Sequence, residues 1–437
     1  QRGFLVGYDR RFLSREAAHW AAEVMAGAGV PCMVVEREAP TPLIMFAMRY
    51  YELAYGMAVT ASHNPALYNG VKVFTKGGRD ADEAVTGSIE EYITALPDSP
   101  YPAVPYEEGI RAGQIQIVDP MNAYIDSVIR SVNMDAIRSR GLKVVLDPMY
   151  GVSKTALQTI LITARCDVDV IHERRDALFG GRLPAPNSKT LIGLQNFVEE
   201  NGCDIGIATD GDADRLGVID DRGEFLHPNK ILVLLYYYLL RYKGWHGAAV
   251  RNIATTHLLD AIAKEFGETC YEVPVGFKHI SGKMLETGAV IGGESSGGLT
   301  VRGHIQGKDG IYAAALLVEM MATTGRRLSE LYQEIVGRYG AFEMAERGYR
   351  FSPEEKERIS KLLMEDKLLP DFGLDVEKVS YADGCKVYFQ NGGWVVARFS
   401  GTEPLLRVFC EMDTMERAAA AAACMEQFLG LEGRNIE

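Results

Sequence analysis

Through most of the chain a short apolar run is followed by a polar loop and then by an amphipathic stretch. "GFLVGYD" reads as a strand, and in "REAAHWAAEVMAGAG" the residues Ala17, Ala18, Trp20, Ala21, Val24 and Met25 keep helical spacing until glycines end it. The strand "VPCMVVE", a helix around "LIMFAMRYYEL" and "GMAVTAS" complete a first set. A second set runs from "LKVVLDPM" through "DVDVIH" and a helix over 189–200 to "CDIGIATDGDADR". A third takes in "NKILVLLYYYLLRY", "AAVRNIAT", "CYEVPV" and "AVIGGESSGG". This alternation predicts βαβ units and mixed, mainly parallel sheets. After about residue 345 the pattern changes. A charged helix, "SPEEKERISKLLMED", leads to two alternating strands around the Asn-Gly-Gly turn of "CKVYFQNGGWVVARFS", then to "LLRVFCE" and an Ala-rich helix from Thr414. The predicted architecture is three similar α/β domains, 1–115, 116–225 and 226–345, and a smaller C-terminal α+β domain, 346–437.

Composition narrows the function classes. At 437 residues and 47% hydrophobic content the chain can fill several cores. Its 46 basic against 59 acidic residues, a net charge of −13, give no footprint for nucleic acid or an anionic membrane surface. An anionic ligand would therefore depend on locally placed Lys and Arg. The longest apolar run, residues 231–240, is half of the ~20 residues a membrane span needs. Seven isolated cysteines without a CxxC pair signal neither a zinc site nor a disulfide framework, which fits a reducing cytoplasm.

Ligands of open α/β sheets bind beyond the carboxyl ends of strands, and four polar loops stand at such places or at a hairpin. In "ATDGDADRLGV" the carboxylates of Asp210, Asp212 and Asp214 alternate with small residues, and extended chain would turn all three to one side. Such a cluster repels itself unless a cation joins it, and a hard divalent ion such as Mg²⁺ suits the oxygens. An EF-hand loop is excluded by Arg215 at its sixth position and Asp221 at its twelfth. "GGESSGG" has the Gly-x-Ser-x-Gly spacing of a nucleophile elbow, but the glycines and β-branched residues after it do not supply the helix that motif needs. Glu294 and Ser296 are better suited to sugar hydroxyls. "RFSGTEPLLRV" gathers Ser400, Gly401 and Thr402 between Arg398 and Arg407, a set fit to hold a phosphate. "VTASHNPALYNGVKVF" places Ser62 beside His63 with Lys72 downstream; on its own the loop is open to two readings, a nucleophile or a polar turn.

Together and in order, these loops resemble the α-D-phosphohexomutase family. Thr60 to Pro65 match its serine loop, Asp210 to Arg215 its metal loop, Gly293 to Gly297 its sugar loop, and Ser400 to Pro404 its phosphate loop. The resemblance implies four domains around a central cleft and a phosphoserine at Ser62. It also implies Mg²⁺ held by Ser62, Asp210, Asp212 and Asp214, with Lys72, Arg215 and His63 around the transferring group. Arg398, Ser400, Gly401, Thr402 and Arg407 would grip the phosphate that is not reacting, while Glu294 and Ser296 would read the sugar's 3- and 4-hydroxyls. Lys278, in Gly276-Phe277-Lys278, and Lys308, in Lys308-Asp309-Gly310, would contact substrate. The implied reaction interconverts glucose 1-phosphate and glucose 6-phosphate through a hexose 1,6-bisphosphate, which is both intermediate and activator. Mannose phosphate, or both sugars, is the alternative; a metal-dependent sugar phosphatase and a silent sugar-phosphate binder are the rival classes. The implied partners are hexose phosphates, and the sequence leaves the oligomeric state open. Two departures stand out: the family's opening strand with a phosphate-contacting arginine has no match before "LVGYDRR", and Tyr8 replaces an arginine.

Overall fold

The computed structural model describes residues 3–97, 101–401 and 404–436. In the first sheet Phe4–Tyr8, Cys32–Val35, Tyr55–Val59 and Ile115–Val118 run parallel, with Val71–Thr75 and Arg79–Asp80 antiparallel at one edge. The second sheet pairs Ile205–Thr209, Lys143–Asp147 and Asp167–Val170 in parallel and adds Leu216–Ile219 and Phe225–Leu226 antiparallel. The third has Cys270–Val273, Ala249–Asn252 and Ile291–Gly293 parallel and Leu299–Val301 antiparallel. The fourth, Glu343–Arg350, Leu405–Met412, Trp394–Phe399, Cys385–Phe389 and Val376–Ser380, is antiparallel throughout. The expected class, mainly parallel α/β domains followed by an α+β domain, is what forms. Sheet membership carries the first domain to Val118 and starts the fourth at Glu343, a few residues from the breaks at 115 and 345.

The helix Ser14–Gly27 buries Ser14, Ala18, Ala22 and Ala26, whereas Trp20 and Val24, assigned to its apolar face by spacing, are exposed. Small side chains let this helix lie close on the sheet, and the larger apolar residues on its flank face outward. The apolar run at 231–240 lies in the helix Pro228–Arg241, where Ile231 to Leu240 are all buried. A helix apolar on every side is a core helix, and the second one, Gly310–Thr324, is buried from Gly310 to Ala322. No described helix is long and apolar enough to cross a membrane.

One continuous apolar core links the first three domains, from Leu5, Ile44 and Met48 through Val144 and Leu157 to Leu235 and Leu316. The fourth domain keeps its own core around Tyr349, Phe389, Cys410 and Met425. The first three domains therefore form a single packed body, and the fourth is attached to it across a separate interface.

Candidate active site

The serine loop follows the buried end of Tyr55–Val59. Ser62 sits at φ 52°, a left-handed conformation that a non-glycine residue adopts only when its surroundings hold it there. Those surroundings are specific. Thr60 Oγ1 accepts from the Ser62 amide at 2.9 Å and donates to Asp9 Oδ2 at 2.6 Å. The buried Arg11 guanidinium donates to the carbonyls of Ser62 (2.6 Å), Asn64 (2.7 Å), Pro65 (2.9 Å) and Tyr68 (3.0 Å). Arg11 thus ties down four carbonyls that a polar loop would otherwise leave to water, and Asp9, at 3.3 Å, balances its charge. The outcome is a buried Ser62 whose Oγ donates to Asp210 Oδ2 at 2.7 Å. His63 Nδ1 lies 3.4 Å from the same Oγ. Burial, with Arg215 and Lys308 nearby, pushes the imidazole down to about 3, so it is neutral at ordinary pH.

The metal loop reaches this serine by close approach. A Cβ at Gly211 would stand 2.7 Å from the Ser62 carbonyl oxygen, so only glycine admits the two loops to each other. Asp210, Asp212 and Asp214 are fully buried, and one oxygen from each lies within 4.8 Å of the others. A turn with Ala213 at φ 63° brings them together, in place of the extended alternation expected from the sequence. Lys72 Nζ donates to Asp212 Oδ2 (2.6 Å) and Asp214 Oδ2 (2.7 Å), and Thr41 Oγ1 donates to Asp212 Oδ2 (2.6 Å). Lys308 Nζ lies 2.9 Å from Asp214 Oδ2. Burial and the two neighbouring carboxylates raise Asp210 well above the carboxylate range. Asp214 shifts down despite burial because Lys308 and Lys72 face it, and Lys72 shifts up despite burial because Asp212 and Asp214 hold its ammonium. Asp212 Oδ1 and Asp214 Oδ1 are buried without a hydrogen-bond partner. Orphaned carboxylate oxygens are costly unless something else completes them. Three buried carboxylates, two orphaned oxygens and an adjacent hydroxyl are the donor set of a hard divalent cation, so the residues present fit such an ion.

The sugar loop follows Ile291–Gly293 and is stitched to the metal loop by a bridge between Arg215 and Gly298. Glu294 Oε1 accepts from Asn252 Nδ2 and the Gly276 amide, both at 3.2 Å, which fixes the carboxylate while the exposed Ser296 approaches Oε2 at 3.4 Å. Gly298 is required for another reason: a Cβ there would overlap Lys308 Cδ and block the lysine's path to Asp214. In the fourth domain Arg398 and Arg407 are direct partners in the antiparallel ladder, so they share a face. Arg398 is held by Asp383 at 3.3 Å, and the other oxygen of Asp383 accepts from the Val275 amide at 2.8 Å. A chain of polar contacts therefore runs from the phosphate loop to the residue before Gly276 and Glu294. The Ser400 amide donates to Leu405 O at 2.7 Å, closing the turn that carries Gly401. Thr402 lies outside the described residues.

The serine and metal loops thus meet as the sequence suggests. The two lysines expected at the substrate are ion-paired: Lys308 Nζ lies 2.9 Å from Asp214 Oδ2, and Lys278 Nζ lies 2.6 Å from Glu83 Oε1. No motif in the sequence assigns Arg11, Asp9 or Thr41 to the serine or metal loop. The signal for Arg11 was present as a charged pair directly after an apolar strand, but nothing local says that its target is a loop about fifty residues away.

Four family models cover most of the chain: Phosphoglucomutase/phosphomannomutase alpha/beta/alpha domain I at residues 1–99, domain II at 122–223, domain III at 227–339 and the C-terminal domain at 354–427. A phosphoglucomutase/phosphomannomutase of Thermococcus kodakarensis is 32% identical over 380 residues, 87% of this chain and 79% of that protein. A phosphoglucosamine mutase of Acetivibrio thermocellus is 31% identical over 434 residues, 98% and 90% of the two chains. Among solved structures, a putative phosphomannomutase from Thermus thermophilus superposes with a TM-score of 0.83 at 29% identity, covering 98% of this chain and 90% of that one. Fold, site and relatives define an isomerase that moves a phosphoryl group. The chain belongs to the α-D-phosphohexomutase family.

Proposed function

We propose that this chain interconverts glucose 1-phosphate and glucose 6-phosphate in the cytoplasm, with Ser62 as the phosphate carrier. The observation that carries this is the Ser62 hydroxyl, 2.7 Å from Asp210 inside a buried three-carboxylate cluster. A serine there has a use only if a cation and a phosphate complete the site. Asp210, Asp212 and Asp214 with Ser62 would hold Mg²⁺, which supplies charge neutralisation to the phosphoryl oxygens. The chain's own residues do the rest. Lys72 and Arg215 offset the charge of the transferring group, since phosphoryl transfer depends mostly on positioning and neutralisation. A sugar hydroxyl attacks phosphorus, the bond from phosphorus to Ser62 Oγ breaks, and the hydroxyl's proton ends on that oxygen. The resulting hexose 1,6-bisphosphate turns within the cleft and returns its other phosphate to Ser62. Arg398, Ser400, Gly401 and Arg407 grip the idle phosphate in both orientations, and Glu294, fixed by Asn252 and Gly276, accepts from the sugar's hydroxyls.

Glucosamine phosphate is the second reading, favoured by the relative named phosphoglucosamine mutase that matches 98% of the chain. Mannose phosphate is the third, since contacts to the 3- and 4-hydroxyls do not read the 2-position. Incubation of the protein and Mg²⁺ with glucose 1-phosphate, mannose 1-phosphate or glucosamine 1-phosphate, primed with glucose 1,6-bisphosphate, separates them. Conversion of glucose 1-phosphate with the highest kcat/KM supports the proposal. Release of inorganic phosphate without a 6-phosphate product would sink it in favour of a phosphatase.

A further inference from the structure

We infer that Tyr124, Asp309 and His304 form a buried positioning triad that holds Lys308 and the metal loop in register. This rests on the reading of Asp214 as a cation ligand. Asp309 is fully buried and caps the helix Gly310–Thr324, its Oδ1 accepting from the amides of Ile311 and Tyr312 at 2.9 Å. One carboxylate oxygen is enough for that cap. Side chains from elsewhere complete the carboxylate: Oδ2 faces His304 Nε2 at 2.6 Å, and the Tyr124 hydroxyl lies within donating distance of both oxygens, 2.8 Å from Oδ2 and 2.9 Å from Oδ1. Tyr124 comes from the helix Met121–Ser131 of the second domain, and burial together with Asp309 raises its hydroxyl above the ordinary range, so it remains a donor. The His304 carbonyl accepts from Arg49 of the first domain. Side chains of the second and third domains therefore meet at one carboxylate, and the first domain is tied to it through the His304 backbone.

The backbone carries this anchoring to the site. The Asp309 amide donates to Leu299 O at 3.0 Å, just beyond the sugar loop, and the Gly310 amide donates to Ala213 O at 3.2 Å, inside the metal loop. Lys308 is rooted one residue before Asp309 and ends 2.9 Å from Asp214 Oδ2. A shift at Asp309 moves both the root of Lys308 and the turn that gathers the aspartates. Tyr124, Asp309 and His304 make no side-chain hydrogen bond to Ser62 or to the three aspartates; they act through Lys308 and Ala213.

The test compares Tyr124→Phe and Asp309→Asn with the unaltered full-length protein. Mn²⁺ affinity is read by electron paramagnetic resonance, and kcat, KM and the melting midpoint are measured alongside. Tyr124→Phe is expected to bind Mn²⁺ about 3- to 10-fold more weakly and to lose about 10-fold in kcat, with KM changed by less than about 2-fold, the scale of outer-sphere substitutions. Asp309→Asn places a donor against two donors and should lose about 100-fold in kcat. Tyr238→Phe is the control for a purely structural loss, since Tyr238 donates to Glu319 at 2.6 Å in the core; it should leave Mn²⁺ affinity unchanged. A Tyr124→Phe protein with unaltered Mn²⁺ affinity and kcat overturns the triad and leaves the mutase reading standing. If the unaltered protein neither binds Mn²⁺ nor converts any hexose phosphate, both fall.

Discussion

The cluster of Asp210, Asp212, Asp214, Lys72 and Lys308 and the cluster of Arg251, Asp260, Glu272, His257 and Lys386 both set carboxylates against cations, the carboxylates buried in the first and only the cations buried in the second. They are completed differently. In the second, which joins the third domain to the fourth, Arg251 bonds Asp260 at 2.7 Å and Glu272 at 2.6 Å. Lys386 reaches across to Glu272 (2.7 Å), Ile253 O (2.6 Å) and His257 (3.1 Å), lying over the ring of Trp394 at 4.1 Å. Two carboxylates meet two cations, and every named group has a partner. In the first, three carboxylates face two ammonium groups, and two oxygens have none. A cluster that closes on itself is a fastening. One that leaves acceptors open, next to a serine oxygen, is a binding site.

Substitutions that separate activity from stability sharpen this contrast. Asp210→Asn should lower kcat by about 10²- to 10³-fold, the scale of removing one preorganised electrostatic group. Its melting midpoint, read by calorimetry without added metal, should hold or rise, because burial and the two neighbouring carboxylates oppose the ionised form of Asp210. Lys386→Met should do the reverse. It removes the bonds of a buried ammonium to Glu272 and the Ile253 carbonyl and should cost about 2 kcal/mol in denaturant unfolding while the folded fraction retains mutase turnover. Equal stability losses in the two variants would erase the distinction.

Acid should loosen the fastening before the site. Burial first, and then Arg251, holds His257 down to about 4, with Lys386 also on it and Glu272 and Asp260 opposing. The unfolded chain takes up a proton near pH ~6.5 that the folded chain refuses until about 4, so stability falls as pH drops through that window, by about 3 kcal/mol. His257→Gln should flatten the dependence between those values in pH-resolved unfolding.

Arg11→Lys should cost about 10-fold in kcat, because a single ammonium cannot fork to four carbonyls as a guanidinium does. Glu83→Gln is the smallest: the exposed pair with Lys278 should leave the unfolding midpoint unchanged and move KM by no more than about 2-fold.

Much of this was readable from sequence wherever a segment's chemistry is local. Aspartates at every second position announce a charge problem, an Asn-Gly-Gly turn announces its hairpin, and apolar runs at strand spacing announce the sheets. The run "IQIV" at 115–118 was missed as the sixth strand of the first sheet because it is short and half exposed. What the sequence concealed is pairing between distant segments. Thr41 lies 171 residues from Asp212 and Lys72 140 from it, and no periodicity relates them. The pairing of Lys308 with Asp214 was hidden in the same way, since its path over Gly298 exists only once the third sheet has folded. In the helix Ser14–Gly27 spacing placed Ala17, Ala18, Ala21 and Met25 against the core correctly and Trp20 and Val24 wrongly, for a related reason. Spacing identifies which residues align, but the tight fit of alanines against the sheet decides which side turns inward.

Ser62 is the proposed phosphate carrier. Incubating the protein with Mg²⁺ and glucose 1,6-bisphosphate, then locating phosphate by peptide mass spectrometry, tests this directly. The prediction is one phosphoryl group on the peptide containing Ser62, lost on addition of excess glucose 6-phosphate and absent from Ser62→Ala. An unmodified Ser62 under these conditions, or phosphate on a different residue, would contradict it.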